Sequence, residues 1–366
     1  MFQFVFCGLL ATFFAYLSQF KGKKFFLILS MVVITYIMGL QDAAAIDFKA
    51  YARNFEDIMA GFKDYGFLNL KERHSGGVIE VGWYTLNKVL GSIIHSYHFV
   101  SLVAAIFMSV TIYKMLKKVD SKWYWLSLLY FYFINMQFCM SGVRQALAMM
   151  CFMLATLYII EQKWRNLILI ALLGLSFHNS FIIILFSLPL LFIPDSFIEN
   201  NIRKIISACV IIYVLILVQA NSIRMLLIQE FMTNLEENAS DYDQYLESIL
   251  QAKMTFLNTL FRLINFVFII IAFYYGKAKE RKLMLFFLIS TYAIAIVGEN
   301  SPLARVNDYF TIFATVAMCI IPSVIKNAYL RNAFVALTLI YIIKIAIDNT
   351  TNYIYKGYLD FHTIIF

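Results

Sequence analysis

INMQFCMSGVRQALAMMCFMLATLYIIEQKWRNLILIALLGLSFHNS, residues 134–180, is the stretch that decides the fold of this chain. It is apolar enough to lie in a membrane, yet it carries Arg144, Gln145 and His178. A polar or ionisable side chain at that depth costs a few kcal/mol and is usually retained because it has a function. The stretch therefore predicts a membrane protein and also the region of its functional site.

The composition of the whole chain agrees with this interpretation. Of its 366 residues, 62% are hydrophobic and only 14% are charged, and the mean hydropathy is +0.76. These values exclude an ordinary soluble globular protein. Because there is no linker, low-complexity segment or internal repeat, residues 1–366 are interpreted as a single integral membrane domain. The five cysteines lack the spacing of a metal site and are interpreted as small core residues.

The apolar runs predict an all-α polytopic membrane protein with about ten full transmembrane helices. The predicted spans are 1–20, 25–40, 99–116, 122–138, 141–160, 205–220, 256–275, 282–298, 304–322 and 333–350. Two hydrophilic segments, 41–77 and 221–253, are predicted to be outer, periplasmic loops.

Clusters of lysine and arginine between the spans are expected to share the cytoplasmic side. If they do, residues 78–98 cannot cross the membrane, and we expect a re-entrant or interfacial helix that carries Glu80. By the same argument residues 166–193 must leave the cytoplasm and return within about half the length of two full spans. This predicts a short helical hairpin with its apex near His178. Irregular backbone at that depth requires protein or water beside it, so we also expect a cavity there.

On this topology the unusual polar residues converge on the outer side. They are Asp47, Tyr51, Glu80, Arg144, Gln145, His178, Arg305 and Tyr309. Arginine suits bidentate capture of phosphate and keeps its charge when buried, and histidine can accept a proton near neutral pH. Structural roles stay open for each: the arginines can reach the headgroups, His178 can cap the hairpin, Glu80 can begin a helix, and Asp47 with Tyr51 can form one face of a loop helix.

The order of these motifs resembles a known family. The chain has GLQ at 39–41, Asp47 and Tyr51 four residues apart, Glu80 with Gly82, Arg144 before QALA, FHNS around His178, and Arg305 four residues before Tyr309. This ordered set is similar to the EpsG-like branch of the Wzy-type polysaccharide polymerases, also called O-antigen polymerases. Family members commonly have arginine where this chain has Gln41, so phosphate binding falls to Arg144 and Arg305.

The resemblance implies a metal-independent and cofactor-independent glycosyltransferase of the bacterial inner membrane. It would transfer a growing glycan from undecaprenyl pyrophosphate to a hydroxyl of the next lipid-linked repeat unit at the periplasmic face. The roles implied are pyrophosphate binding by the two arginines, a base at His178, a second carboxylate or arginine-orienting group at Glu80, and substrate binding by Asp47, Tyr51, Gln145 and Tyr309. The expected partners are the lipid-linked oligosaccharide and membrane lipid, with a chain-length regulator left open and no nucleic acid.

Two other functions fit the same charges. An O-antigen ligase would use the same lipid-linked donor, and a flippase for these lipids would bind them without reaction. The sequence Asp241-Tyr242-Asp243 resembles the metal-binding DxD of nucleotide-sugar enzymes, but it lies in an acidic outer segment and is interpreted as solvated surface.

Overall fold

The computed structural model describes residues 2–20, 24–41, 47–62, 64–66, 78–119, 121–233, 256–297 and 304–351, and almost all of them are helical. In chain order the helices are α1 Phe2–Leu17, α2 Phe25–Gly39, α3 Phe48–Met59, α4 Val81–Ile93, α5 Tyr97–Val119, α6 Tyr124–Tyr130, α7 Met136–Ser141, α8 Val143–Ile160, α9 Trp164–Phe177, α10 Phe181–Leu185, α11 Asp195–Thr233, α12 Phe256–Tyr275, α13 Ala278–Val297, α14 Ala304–Thr311, α15 Ala314–Val324 and α16 Ala328–Thr351. A π-helical turn, Phe131–Asn135, joins α6 to α7, and a 3₁₀ turn, Leu188–Phe192, follows α10.

The predicted all-α polytopic architecture is confirmed. Within the described residues five helical segments are long and apolar enough to cross a membrane: Tyr97–Val119, Val143–Ile160, Asp195–Gln219, Arg305–Val324 and Ala328–Ile347. The other predicted spans also coincide with helices, several of them shorter apolar ones. The core surrounds α8, which is buried along nearly its whole length because apolar residues cover its full circumference.

The predicted short helix within residues 78–98 is present and covers Val81–Ile93. The helix α4 has 13 residues, and its chain then turns through an extended residue at Ile94 before α5 begins. At about 1.5 Å per residue it reaches roughly 20 Å, well short of the ~30 Å hydrocarbon layer. A feature that the sequence did not predict precedes it: β1 Asp64–Gly66 pairs in parallel with β2 Val78–Glu80.

The predicted hairpin at 166–193 is also confirmed. The first arm, α9, ends at Phe177, His178 is extended, and α10 starts the second, shorter arm. Gly174 allows the arms to meet, because a Cβ built on it would lie 2.5 Å from Cζ of Phe181. The apex is therefore a tight turn with His178 at its centre.

The two predicted outer loops both contain helix. Residues 48–59 form the amphipathic helix α3, whose buried face consists of Phe48, Tyr51, Phe55 and Ile58. This spacing of three and four residues places all four side chains against α4 and α5. In the second loop, α11 continues to Thr233. The rest of that loop, including Asp241 and Asp243, lies outside the described residues.

Ion pairs and hydrogen bonds bring lysines and arginines of three of the expected basic clusters together at one end of the molecule. The contacts are Lys118 and Lys163 with Glu161, Lys279 Nζ with the Lys118 carbonyl at 2.5 Å, Lys282 with Asp195 at 3.0 Å, and Arg281 with Glu199 at 3.6 Å. They join the ends of α5, α8, α9, α11 and α13. We call this the basic end. Its existence agrees with the expectation that the clusters share one side of the membrane.

Candidate functional site

The predicted site residues lie at the end of α8 opposite the basic end. Gly142 interrupts the helix between α7 and α8, and Arg144 follows in the first turn of α8. Its guanidinium Nη1 donates to the carboxylate of Glu80, the residue that precedes α4. The two side chains are 32% and 11% exposed. This ion pair therefore joins two segments that are 64 residues apart in a setting with little water.

Aromatic rings line the other side of Arg144. The guanidinium carbon lies 5.8 Å from the ring centroid of Tyr51, within the range of a cation–π contact. Tyr51 in turn stacks on Tyr97 at 6.5 Å and meets Trp83 edge-on at 5.4 Å. Burial raises the pKa of Tyr51 and Arg144 lowers it, with a net increase. The phenol is therefore a neutral hydrogen-bonding group at physiological pH.

Gln145 connects α8 to α14. Its amide nitrogen donates to the backbone carbonyl of Arg305, and the Gln145 side chain is buried. The Arg305 side chain is exposed, with Asp308 one turn further along and within electrostatic range. Gln145 therefore holds the backbone of Arg305, while the Arg305 side chain is exposed.

His178 and Tyr309 meet through a serine. The hydroxyl of Ser180 lies 2.6 Å from Nδ1 of His178 and 3.1 Å from the hydroxyl of Tyr309, whose side chain is fully buried. The backbone N–H of Ser180 also donates to Nδ1 at 3.3 Å. Because a backbone N–H can only donate, Nδ1 is an acceptor, and the neutral imidazole carries its proton on Nε2.

The segment that carries Glu80 lies near the turn that carries His178 because α4 packs closely on the end of α9. A Cβ built on Gly82 would lie 2.8 Å from the backbone carbonyl carbon of Ser176. Only glycine fits there without a shift of the backbone. This contact brings Glu80, the last residue of β2, toward the turn that carries His178, and it explains the spacing of Glu80 and Gly82 in the sequence.

Asp47 is further from this arrangement. It precedes α3, its side chain is exposed, and it forms no capping hydrogen bond with the helix. Its charge acts on the buried hydroxyls of Tyr51 and Tyr97. Asp47 therefore lies at the exposed edge of the site, while the other seven predicted residues belong to the segments that form it.

Four further residues belong to the site and were not predicted as members: Trp83, Tyr97, Ser180 and Asp308. Ser180 had a signal in the sequence, since a serine two residues after a histidine in a tight turn can bond to its ring. The aromatic pair had none, because their contact with Tyr51 depends on how α3, α4 and α5 pack.

A small cavity, with room for about one water molecule, lies beside the start of α8. Its walls come from α2, α5, α7 and α8, and are formed by Met38, Ser101, Ala104, Ala105, Met108, Cys139, Met140 and Val143. The separate cavity expected at the hairpin apex stays a prediction.

The described ranges contain no group of three or more histidine, cysteine, aspartate or glutamate residues that could hold a metal ion. The chemically active groups that the structure brings together are instead a paired arginine, an exposed arginine, a histidine–serine–tyrosine chain and an aromatic wall.

The fold and this site define a polytopic membrane protein that brings two arginines, a histidine and several aromatic side chains to one end of its helix bundle. A sequence model of the EpsG family matches residues 2–362, nearly the whole chain, and the chain belongs to that family. Membership indicates a general polysaccharide polymerase-like role in polysaccharide biosynthesis. No curated protein and no solved structure matches the chain.

Proposed function

We propose that this protein is a polysaccharide polymerase that takes its donor as a lipid pyrophosphate. It transfers the growing glycan from undecaprenyl pyrophosphate to a hydroxyl of the next lipid-linked repeat unit, in O-antigen or a related polymer. The reaction takes place at the periplasmic face of the bacterial inner membrane. The observation that carries the proposal is the Arg144–Glu80 pair, held at the outer end of α8 beside the His178 turn.

Arg144 binds the pyrophosphate in this proposal. A guanidinium presents several N–H donors in one plane, which matches two phosphate oxygens. Glu80 uses Nη1, while the buried Nε has no hydrogen-bond partner among the described residues. Glu80 thus fixes the orientation of Arg144 and is assigned as its positioning residue. Fixed positive charge at the oxygen where negative charge develops lowers the barrier to departure of the leaving group.

Arg305 supplies the second positive charge. Its backbone is held to α8 by Gln145, whereas its side chain is exposed and can reach a ligand that enters from outside. A pyrophosphate carries more negative charge than one arginine neutralises. Two guanidinium groups on separate helices, α8 and α14, therefore suit it better than one.

The acceptor hydroxyl loses its proton to His178 by way of Ser180. Nδ1 is the acceptor atom of the ring, and the Ser180 hydroxyl donates to it at 2.6 Å. As the acceptor oxygen bonds to the anomeric carbon, the bond from that carbon to the pyrophosphate oxygen breaks and the electron pair leaves with the pyrophosphate. The acceptor proton passes to Ser180 Oγ while the serine proton passes to Nδ1, which yields an imidazolium. Tyr309 holds Ser180 in place.

The sugar is assigned to the side of the site where the aromatic rings lie. Tyr51, with Tyr97 and Trp83 behind it, forms a rigid wall next to Arg144. Asp47 lies exposed at the start of the same helix and can accept hydrogen bonds from sugar hydroxyls. This arrangement places a glycan on α3.

Reconstitution tests the proposal. Purified protein in liposomes is given the lipid-linked repeat unit alone, with excess chelator, and the products are separated by size. A ladder of polymers is the expected result. Absence of a ladder here, together with transfer of polymer in a second reaction that contains lipid-linked polymer and lipid A core, would identify a ligase. Movement of the lipid across the bilayer without new linkages would identify a flippase. Loss of the ladder in chelator alone would remove the metal-independent mechanism.

A further inference from the structure

The two arms of the hairpin meet again at the basic end. The first arm begins directly after Lys163, whose ammonium pairs with Glu161 at 2.7 Å. Trp164 in the first turn of α9 stacks on Phe192, the last residue of the 3₁₀ turn in the second arm. The two ring centroids are 5.7 Å apart and the ring planes differ by 12°. We call Lys163, Trp164, Arg165 and Phe192 the hairpin foot.

The stacked rings of the hairpin foot are open on their outer side. Trp164 is 47% exposed and Phe192 is 51% exposed, although each covers part of the other. The charges beside them cannot lie in hydrocarbon, so the foot belongs to the boundary between hydrocarbon and headgroups. Tryptophan is enriched at that boundary because its ring is apolar and its N–H is polar. The foot therefore presents an aromatic surface to the headgroup region.

Arg165 continues an exposed apolar face of α9. Ile168, Leu169 and Leu172 follow Arg165 by three, four and seven residues, which places all four side chains on one face of the helix. The three apolar side chains are 60%, 68% and 55% exposed, while the opposite face of α9 is buried and α9 packs on α8. At about 1.5 Å per residue, Ile168 and Leu172 lie roughly 5 and 11 Å along the helix from Arg165. The face thus has a cation at the foot and apolar side chains above it.

The hairpin foot carries net positive charge. Residues 162–194 contain no aspartate or glutamate. The carboxylate before them, Glu161, is shared by Lys163 and a lysine of α5, and the carboxylate after them, Asp195, pairs with a lysine of α13. Arg165 is exposed and has no ion pair within the described part of the chain. Its guanidinium is therefore available to an anionic ligand.

We propose that the hairpin foot binds an anionic phospholipid of the surrounding bilayer. The planar guanidinium of Arg165 binds two oxygens of the phosphate, and the ammonium of Lys163 is the second cation. The stacked rings lie under the glycerol, and an acyl chain follows the face from Ile168 to Leu172. A soluble anion would use only the cations, whereas this continuous face also fits an apolar tail. Basic sites beside membrane helices recognise acidic headgroups in the same way.

The position of this site gives the lipid a structural role. The foot is at one end of α9, and the turn that carries His178 is at the other end. A lipid on the foot therefore holds the hairpin at the end opposite His178. The site is independent of the proposed function, since it depends only on the membrane fold and on the residues of the foot.

Native mass spectrometry of the full-length protein in non-ionic detergent tests this site, with dioleoyl phosphatidylglycerol and dioleoyl phosphatidylcholine as the probes. Wild type is expected to bind the first phosphatidylglycerol about tenfold or more tightly than phosphatidylcholine, because two cations attract the acidic headgroup. Arg165→Gln should weaken phosphatidylglycerol about fivefold and leave phosphatidylcholine unchanged. The matched control is Arg203→Gln, which removes an exposed arginine of α11 one turn after Glu199 and should bind as wild type does.

Several outcomes would overturn the inference. Equal affinity of wild type for the two lipids would do so, as would unchanged phosphatidylglycerol binding by Arg165→Gln. An equal loss in Arg203→Gln would show a diffuse attraction to the whole basic end and no defined site. Displacement of the lipid by soluble glycerol 3-phosphate at equal concentration would identify a site for a soluble anion.

Two more variants separate the parts of the site from misfolding. Arg165→Lys keeps the charge and should stay within about threefold of wild type, so a loss as large as that of Arg165→Gln would contradict recognition by charge. Trp164→Ala removes the stacked surface without a change of charge and should weaken both lipids alike. Unchanged binding of both lipids by Trp164→Ala would remove the rings from the site.

Discussion

The pairing of Arg144 with Glu80 leads to a quantitative prediction for two single variants and their combination. Arg144→Ala removes a donor from the leaving pyrophosphate, which typically costs a hundred- to a thousandfold in rate, about 3–4 kcal/mol. Glu80→Gln keeps Arg144 but no longer fixes it. An arginine side chain that regains its rotamer freedom recovers up to about 2 kcal/mol of entropy, which corresponds to a loss of up to about thirtyfold in rate.

The double variant distinguishes a positioning role for Glu80 from an independent one. If Glu80 acts only by holding Arg144, then Glu80→Gln has nothing left to disturb once the arginine is gone. The double variant should therefore match Arg144→Ala within about threefold, because the two effects are coupled. Arg144→Lys keeps a charge but loses the planar fork, and its rate should fall between wild type and Arg144→Ala.

The assay is the initial rate of ladder formation in proteoliposomes, normalised to folded protein. Loss of one member of a fully buried ion pair costs about 3–5 kcal/mol of stability, and this is an upper bound here because Arg144 is 32% exposed. Each variant must therefore remain monodisperse in gel filtration. Arg53→Ala, on the exposed face of α3, is the matched control and should keep the wild-type rate. A double variant whose defect equals the product of the two single defects would refute the positioning role.

Three further predictions follow from single contacts. Ser180→Ala removes the hydroxyl between the acceptor and His178 and should slow polymerisation at least tenfold with little change in KM, whereas an unchanged rate would eliminate the relay. Gly82→Ala forces a Cβ against the backbone of Ser176 and should lower stability by about 1–3 kcal/mol in thermal unfolding, and a wild-type midpoint would contradict this packing. Two lysines lower the pKa of Glu161, so its stabilisation is present above its ordinary value near 4.5 and is lost as pH falls through the lower folded value. Glu161→Gln should therefore lower the unfolding midpoint at pH 7 and have little effect at pH 3, and an equal effect at both would exclude the ion pair.

The topology around the hairpin illustrates what charge and hydropathy can predict. The segment of 166–193 is too short for two full spans, and this length alone indicated a turn near His178, which the structure contains. The expectation that the basic clusters share one side of the membrane came from the same kind of argument. The contacts at the basic end agree with it. Such conclusions depend on composition summed over many residues, so they tolerate errors of several residues at each boundary.

The contacts within the site are the part that charge and hydropathy do not predict. Arg144 and Glu80 were recognisable separately, because a charged residue beside an apolar run is costly and therefore conspicuous. Glu80 was expected as a second carboxylate or as a group that orients an arginine, and nothing in the sequence specifies that its partner is Arg144. Ser180 was overlooked because a small hydroxyl is common in turns, and it acquires its role only through its 3.1 Å contact with Tyr309.

By itself the sequence determined that this chain is a multi-spanning helical membrane protein, which segments are too short to cross, and which polar residues are unusual enough to carry function. These properties follow from the cost of placing backbone and charge in hydrocarbon, which each segment pays independently of its neighbours. Only the tertiary structure decided that Glu80 pairs with Arg144 and that Ser180 links His178 to Tyr309. Those contacts depend on the packing of helices that are distant in sequence, and packing responds to the shape of every neighbouring side chain at once.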